Sequence, residues 1–277
     1  MLKLFTAHNS ICTQKVLLTL IEKGLPWTAE YVDLFNNEQY RPDYLKLNPK
    51  GVVPTLIHDG HAIIESTLIC EYLDQTFPEP PLVPASAFAR AQMRRWSKHI
   101  DEGVFEATRE ISFSAMFRDK MRGMTEEQRN GRFRNIGDPG RRARMLSTYE
   151  KGCESPFVEQ GIFAFEKMFG EMEECLSDGR PWLVGGDFSL GDINVMPFAA
   201  RLDYLQLLGV WIADRPGVRG WWDRARARPS FSGAIAKLLS PEQMEAMSSS
   251  GARIRDQIAA KREEIVSRRS EALTAAA

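Results

Sequence analysis

The sequence predicts a small mixed α/β domain followed by a longer all-α domain, and three observations support this prediction. Residues 1–77 contain short β-branched and aromatic runs around one helical segment. A proline-rich stretch, Phe77–Pro84, cannot continue a helix and separates the two parts. From Ala87 onward the strand signals end, and apolar residues recur at helical spacing over long segments.

The chain begins with a predicted strand, helix and strand. Leu2–Phe5 is a short apolar strand, and Thr13–Lys23 has the apolar spacing of a helix that Gly24 ends. Trp27–Leu34 has the composition of a second strand. Because a crossover helix joins parallel strands, we expect these two strands to pair in parallel.

A hairpin and a further helix follow. Thr55–His58 and His61–Ile64 flank Asp59-Gly60, a dipeptide typical of a two-residue hairpin turn. Glu65-Ser66 then opens a helix. A parallel pair extended by an antiparallel hairpin gives a small mixed sheet covered by helices, which is a thioredoxin-like arrangement.

The second part is predicted to be all-α. Its long helical patterns are Ala87–Phe117, Phe157–Leu176, Leu190–Leu208 and Gly217–Ala227. The predicted organisation is therefore an α/β domain at 1–77, a linker at 78–86, a helical domain at 87–240 and a helical extension at 241–277.

Composition narrows the functional classes. The chain has 277 residues, 43% of them hydrophobic, and a net charge of −1, which favours a globular protein without a general attraction to nucleic acid. No apolar stretch reaches membrane-spanning length, and the N-terminus lacks the pattern of a secretory signal. The four cysteines and four histidines show no metal-ligand spacing. We expect a cytoplasmic protein with reduced thiols, no metal site, and no nucleic-acid or membrane partner.

Residues 47–69 are the most informative stretch for function. Val53 precedes Pro54, which biases it to an extended conformation whether the bond is cis or trans, so its N–H and C=O can face an extended peptide. Ser66 is placed where a helix cap would be, with its hydroxyl and the helix N-terminal amides facing a carboxylate. Glutathione, a tripeptide with a γ-glutamyl carboxylate, fits both features.

These motifs resemble those of the glutathione S-transferase superfamily. The matching segments are Asn48–Pro54, Glu65-Ser66 and Ile69–Asp74, and the resemblance extends over roughly residues 1–235. It implies the transferase fold, glutathione as cosubstrate and a homodimer. Val53, Pro54, Glu65 and Ser66 would then contact glutathione.

The loop after the first strand carries the candidate catalytic residues. A donor at a helix N-terminus can stabilise a thiolate, because the helix field favours negative charge there. Ser10 stands five residues before Lys15, as the catalytic serine of serine-type relatives stands before an arginine. Asn9 is the second candidate and Cys12 the third. The loop has no tyrosine, which argues against the tyrosine-type classes.

The second helix of these transferases usually supplies a polar side chain to the glycyl carboxylate of glutathione. Gln39 matches that position, counted back from Asn48-Pro49, and its neighbour Arg41 could do the same work. Tyr40 and Tyr44 are interpreted as packing residues.

Ser189 and Asp192 form a predicted capping box, in which the Asp192 carboxylate returns to the backbone amide of Ser189. The superfamily carries such a box in a helix of its second domain. We interpret it as a folding element without a chemical role.

An insertion at 118–156 separates this chain from an average transferase. It has more basic than acidic residues and would border the acceptor side of the cleft. Together with 65–73 and 96–102, it resembles the bacterial β-aryl etherases, which use glutathione on lignin-derived aromatic ethers. The implied reaction substitutes glutathione for an aryloxy group.

Two other functions stay open from the sequence. A transferase-like binding protein could hold an acidic partner with the basic insertion or with the C-terminal helix, where Met244, Met247, Ile254, Ile258 and Ile265 share one face. Alternatively, Cys12 could form a mixed disulfide, as in a thiol-exchange reductase.

Overall fold

The computed structural model describes residues 1–276 and groups them into two compact units. The first unit comprises Met1–Lys98, Asp178–Ala199 and Gly220–Ser240, and the second comprises His99–Ser177, Ala200–Arg219 and the chain from Pro241. The predicted domains are continuous stretches of the chain, whereas each of these units combines three separate stretches that pack together. Among the described residues, no helix has both the length and the apolar character needed to cross a bilayer.

A four-stranded sheet forms the centre of the first unit. Its strands are β1 (Leu2–Thr6), β2 (Trp27–Tyr31), β3 (Thr55–His58) and β4 (His61–Ile64), in the order β2-β1-β3-β4. The β1–β2 pair is parallel, and the other two pairs are antiparallel. The predicted topology is confirmed, although β2 ends three residues earlier than predicted. Asp59 and Gly60 both have positive φ, as a tight hairpin turn with this twist requires.

The first four helices of the chain are α1 (Ile11–Glu22), α2 (Pro42–Leu47), α3 (Ser66–Thr76) and α4 (Ala87–His99). Helix α1 is buried from Thr13 to Leu20 and packs against α3. It also packs against a later helix of the same unit, where the Glu22 carboxylate accepts two hydrogen bonds of 2.7 Å from the Arg228 guanidinium.

Eleven further helices complete the described chain. They are α5 (Phe105–Ser112), α6 (Arg118–Arg122), α7 (Glu126–Asn135), α8 (Pro139–Lys151), α9 (Pro156–Leu176), α10 (Leu190–Tyr204), α11 (Gly209–Ile212), α12 (Pro216–Arg226), α13 (Pro229–Ala234), α14 (Pro241–Ala252) and α15 (Arg255–Ala276). The predicted helix Ala87–Phe117 is not continuous. Gly103 is extended (φ 177°) within a π-helical turn at Ile100–Val104, and a second π-helical turn spans Phe113–Phe117.

The predicted capping box at the start of α10 is buried and is linked by hydrogen bonds to neighbouring elements. The Asp192 carboxylate accepts hydrogen bonds from the backbone amides of Ser189 and Leu183, both at 3.0 Å, and from the Trp221 indole at 2.9 Å. Burial raises the pKa of Asp192 despite these donors. The contacts of this carboxylate are structural, as predicted, since it ties the start of α10 to the preceding loop and to α12.

The insertion folds into helices α6, α7 and α8, and several of its arginines bind backbone carbonyls of the insertion itself. Arg118 donates to the carbonyls of Tyr149 and Glu150 at 2.8 and 2.7 Å, and Arg142 donates twice to the carbonyl of Ile136. These guanidinium groups hold the insertion together, so its excess of basic residues is not simply a free cationic surface.

The C-terminal extension packs on its own unit. Met247, Ile258 and Ile265 of the predicted apolar stripe are buried. The Arg262 guanidinium donates to the Glu166 carboxylate at 2.7 Å, and Arg215 donates to the same carboxylate. Although burial opposes it, these hydrogen bonds hold the pKa of Glu166 below its ordinary value. The apolar stripe is therefore covered by this chain.

We predict that Arg262→Met lowers the free energy of unfolding by about 1.5–3 kcal/mol near neutral pH, because a hydrogen-bonded charge pair is lost. A carboxyl group with a depressed pKa in the folded state stabilises above its ordinary pKa of 4.5 and loses that effect as pH falls. Urea unfolding should therefore show the largest difference at pH 7 and a smaller one below pH 4.5. The control is Arg269→Met on the exposed face of α15. Equal losses in both variants would contradict the prediction.

Candidate active site

Strand register brings three separated segments to one end of the sheet. Phe5 pairs with Thr55, so the loop after β1 lies beside the segment that leads into β3. Thr55 also pairs with Ile64, so the residues after β4 lie beside that segment as well. The loop with Ser10, the Val53-Pro54 turn and the start of α3 at Ser66 therefore belong to one site within the first unit.

Ser10 is the N-cap of α1. Its backbone is extended, and its Oγ accepts a hydrogen bond from the Thr13 amide at 3.3 Å. Because the oxygen serves as the acceptor of this cap, the hydroxyl proton can still be donated to a ligand. Asn9 and Cys12 flank this position and are partly buried. Of the three predicted candidates, Ser10 has the hydroxyl at the positive end of the helix.

Val53 and Pro54 are joined by a cis peptide bond, and both residues are buried. Among the described residues, the backbone N–H and C=O of Val53 have no hydrogen-bond partner. Buried backbone groups are nearly always paired, so an open pair of this kind indicates a ligand or water. This geometry supports the predicted peptide-binding role of Val53.

A buried network of hydrogen bonds holds the Val53-Pro54 turn in place. The Tyr44 hydroxyl donates to the Val52 carbonyl at 2.6 Å and lies 3.0 Å from the Thr55 Oγ1. The Asn48 amide donates to the same two oxygens at 2.9 and 3.2 Å. Burial raises the pKa of Tyr44, which keeps its hydroxyl protonated as a donor. The network uses the Val52 carbonyl and leaves that of Val53 open.

The start of α3 differs in detail from the prediction. The predicted cap position of Ser66 is wrong, because Glu65 is the N-cap and Ser66 is the first helical residue. Glu65 has a φ of 69°, which is strained for a residue with a side chain, and such strain is retained where ligands bind. Its carboxylate accepts a hydrogen bond from Lys50 at 2.6 Å. Glu65 makes no side-chain cap, so the first amides of α3 remain open to an anion.

Gln39 lies in a 3₁₀ turn (Glu38–Tyr40) before α2, rather than in α2 itself. Its side chain is buried, and its Oε1 has no hydrogen-bond partner among the described residues. A half-turn of the amide exchanges oxygen and nitrogen, so this position can present a donor to a carboxylate. Arg41, in contrast, is exposed and lies within 4 Å of the carboxylates of Glu38 and Asp43.

Sequence reasoning missed the supporting residues of the site. Tyr44 and Asn48 hold the turn at Val53, and the Lys15 ammonium donates to the Thr67 Oγ1 at 2.8 Å, which joins α1 to α3. Helical periodicity gives no signal for a buried lysine. The sequence motifs at Val53 and Ser66 do not include the side chains that hold these residues in place.

The chemistry of the site matches a tripeptide with two carboxylates and a thiol. The first turn of α3 has open amides that could bind one carboxylate, and Gln39 has a side-chain amide that could bind another. Val53 has an open N–H and C=O that an extended peptide backbone could pair with, and Ser10 has a hydroxyl that could donate to sulfur. Such donors at helix N-termini stabilise anions without a metal ion. The fold and the site together define a glutathione-binding enzyme.

Comparison with known proteins agrees with this class. A family model for the glutathione S-transferase N-terminal domain matches residues 9–76, and one for the C-terminal domain matches residues 156–224. The chain is 32% identical over 245 residues to Protein LigF of Sphingobium sp. strain SYK-6, covering 85% of this chain and 93% of LigF. The chain therefore belongs to the glutathione S-transferase superfamily, and it is a glutathione-dependent enzyme.

Solved structures show the same relationship. The crystal structure of beta-etherase LigF aligns with 85% of this chain and 99% of its own length, at 31% identity and a TM-score of 0.75. A glutathione transferase homologue from Sulfitobacter with bound glutathione aligns with 86% of this chain and 98% of its own length, at 25% identity and a TM-score of 0.62. The predicted fold class and cosubstrate are confirmed.

We predict that Ser66→Ala weakens glutathione binding by about 1.5–3 kcal/mol, the contribution of a hydrogen bond to a charged group. The fold should be unaffected, because Ser66 does not cap its helix. Titration calorimetry measures the affinity. The control is Ser86→Ala, which removes the hydroxyl that accepts the Ala89 amide at 3.0 Å and should lower stability without changing affinity. Unchanged affinity in a folded Ser66→Ala variant would remove this residue from the site.

Proposed function

We propose that this enzyme is a glutathione-dependent β-aryl etherase, which cleaves aromatic ethers by substitution. The observation that carries the proposal is the likeness to LigF, a beta-etherase, which extends over most of both chains in sequence and in structure. The proposed acceptor is a small aromatic ether or a related electrophile. The products would be a glutathione thioether and a phenol.

The proposed reaction requires a deprotonated thiol, which glutathione supplies. The Ser10 hydroxyl would donate a hydrogen bond to the sulfur at the positive end of α1, and the Asn9 amide is the second candidate for this donor. A carbon–sulfur bond forms as the carbon–oxygen bond breaks, and the departing phenolate takes up the proton that the thiol has lost. The residues act by orientation and charge stabilisation.

The same site would hold the peptide in a fixed register. Val53 would pair with the cysteinyl backbone, beside the cis Pro54. Glu65 and Ser66 would bind the γ-glutamyl ammonium and carboxylate, and Gln39 would bind the glycyl carboxylate. These assignments are supported by the open backbone groups of Val53, the strained Glu65 and the unpartnered Gln39 Oε1.

The observations favour catalysis over a scaffold function. Arginines of the insertion bind its own carbonyls, and the apolar stripe of the C-terminal extension is buried against the same unit. The alternative function is a thiol-exchange reductase. It is favoured by Cys12, which lies two residues after Ser10 and is partly accessible.

We also propose that the enzyme is a homodimer in a reducing compartment such as the cytoplasm. Large apolar side chains of the first unit are exposed, with Leu68 at 58% and Phe88 at 74%, and a second copy of the chain would cover them. None of the four cysteines forms a disulfide, as expected where disulfides are reduced.

We predict that the pure enzyme, incubated with glutathione and a panel of β-aryl ethers, releases a phenol and forms a glutathione thioether in equal amounts. Mass spectrometry detects both products. In Ser10→Ala the rate profile should shift to higher pH, because the donor to the thiolate is lost, while glutathione affinity changes little. Ser10→Thr keeps both the hydroxyl and the helix cap, and it serves as the control for the stability lost with the cap.

The same assay separates the remaining candidates. A pH shift in Asn9→Ala but not in Ser10→Ala would assign the donor to Asn9. Loss of activity in Cys12→Ser alone, with a glutathione adduct on the wild-type protein, would replace the etherase assignment with a thiol-exchange reductase. Absence of both products from every ether would contradict the proposed function.

A further inference from the structure

Two buried lysines on α1 and its C-cap differ in their partners. The Lys23 ammonium lies 2.7 Å from the Asp74 carboxylate and 2.7 Å from the Pro80 carbonyl, so its charge is neutralised within the chain. Lys15 is fully buried, and its ammonium donates to the Thr67 hydroxyl. Among the described residues, no carboxylate lies within 4 Å of the Lys15 Nζ.

A buried ammonium without a counter-ion is costly, and proteins normally pair it with an anion. The place of Lys15 shows where such an anion could bind. Its partner Thr67 is the second residue of α3 and directly follows Ser66. The charge therefore lies behind the first turn of a helix whose amides already favour an anion. The carboxylate of Glu65 at this turn is exposed and is paired with Lys50.

The buried thiol of Cys70 lies close enough to Lys15 to feel the charge of its ammonium. Burial raises the pKa of Cys70, and the charge of Lys15 acts in the opposite direction. Lys15 is therefore close enough to act electrostatically on groups of α3, one turn beyond the amides that face a ligand.

We propose that Lys15 is a positioning residue for the γ-glutamyl carboxylate of glutathione. Its ammonium holds the first turn of α3 through Thr67, and the carboxylate bound at Ser66 neutralises its charge. The proposal rests on the proposed glutathione site and adds a recognition element beneath it, which no ligand atom needs to touch.

The test uses two peptides, glutathione and γ-aminobutyryl-cysteinyl-glycine, which lacks only the carboxylate of the γ-glutamyl residue and keeps its amino group. Their affinities are measured by calorimetry on the wild type and on Lys15→Met. We expect Lys15→Met to weaken glutathione about tenfold or more, as for a partly buried charge interaction, and to change the affinity for the truncated peptide less than about threefold. Lys15→Arg keeps the charge and should restore most of the preference for glutathione.

Two further variants keep the test informative. Thr67→Val is nearly isosteric and removes the acceptor of Lys15, so it should lower the same preference even if Lys15→Met does not fold. Lys23→Met breaks the other buried lysine contact and should reduce stability while leaving the ratio of the two affinities unchanged. Equal losses for both peptides in the Lys15 and Thr67 variants, or no loss for either, would overturn the proposal. A wild type that binds neither peptide would instead contradict the proposed glutathione site.

Discussion

The packing of α1 against α3 and α13 is the constraint on which the site depends. Eight consecutive residues of α1 are buried, so the helix cannot shift without disturbing the core. The bond from Lys15 to Thr67 then fixes the start of α3 relative to α1. Both helices begin at the same end of the sheet, so their positive ends favour negative charge at the candidate site. The proposed recognition of glutathione depends on this arrangement.

The groups that would face glutathione are held by residues that do not contact it. Tyr44 and Asn48 donate hydrogen bonds to the Val52 carbonyl, so the backbone groups that remain open are those of Val53. The strained Glu65 is fixed between β4 and α3, and its energetic cost of about 1–3 kcal/mol is offset by the surrounding core. The site is therefore preorganised, and binding energy need not be spent on ordering the loop.

Much of this arrangement could be predicted from the sequence, because local signals and burial agree there. The Asp59-Gly60 turn predicted the bounds of both hairpin strands, and the Val53-Pro54 and Ser66 motifs indicated the candidate site. The predictions were wrong where tertiary packing decides. Ser66 is not the cap, since a strained Glu65 takes that place, and Gly103 interrupts a helix whose apolar spacing is continuous. Lys15 is polar in sequence and fully buried in the fold, so helical periodicity could not show its burial.

Hydrogen–deuterium exchange of the wild-type protein, with and without glutathione, tests the central claim most directly. If glutathione binds where the ends of α1 and α3 meet the Val53 turn, exchange should slow in peptides covering residues 9–14, 52–56 and 65–69. Peptides from the insertion helices, residues 126–151, should be unchanged at saturating glutathione. Protection of the insertion without protection of these three segments would contradict the account.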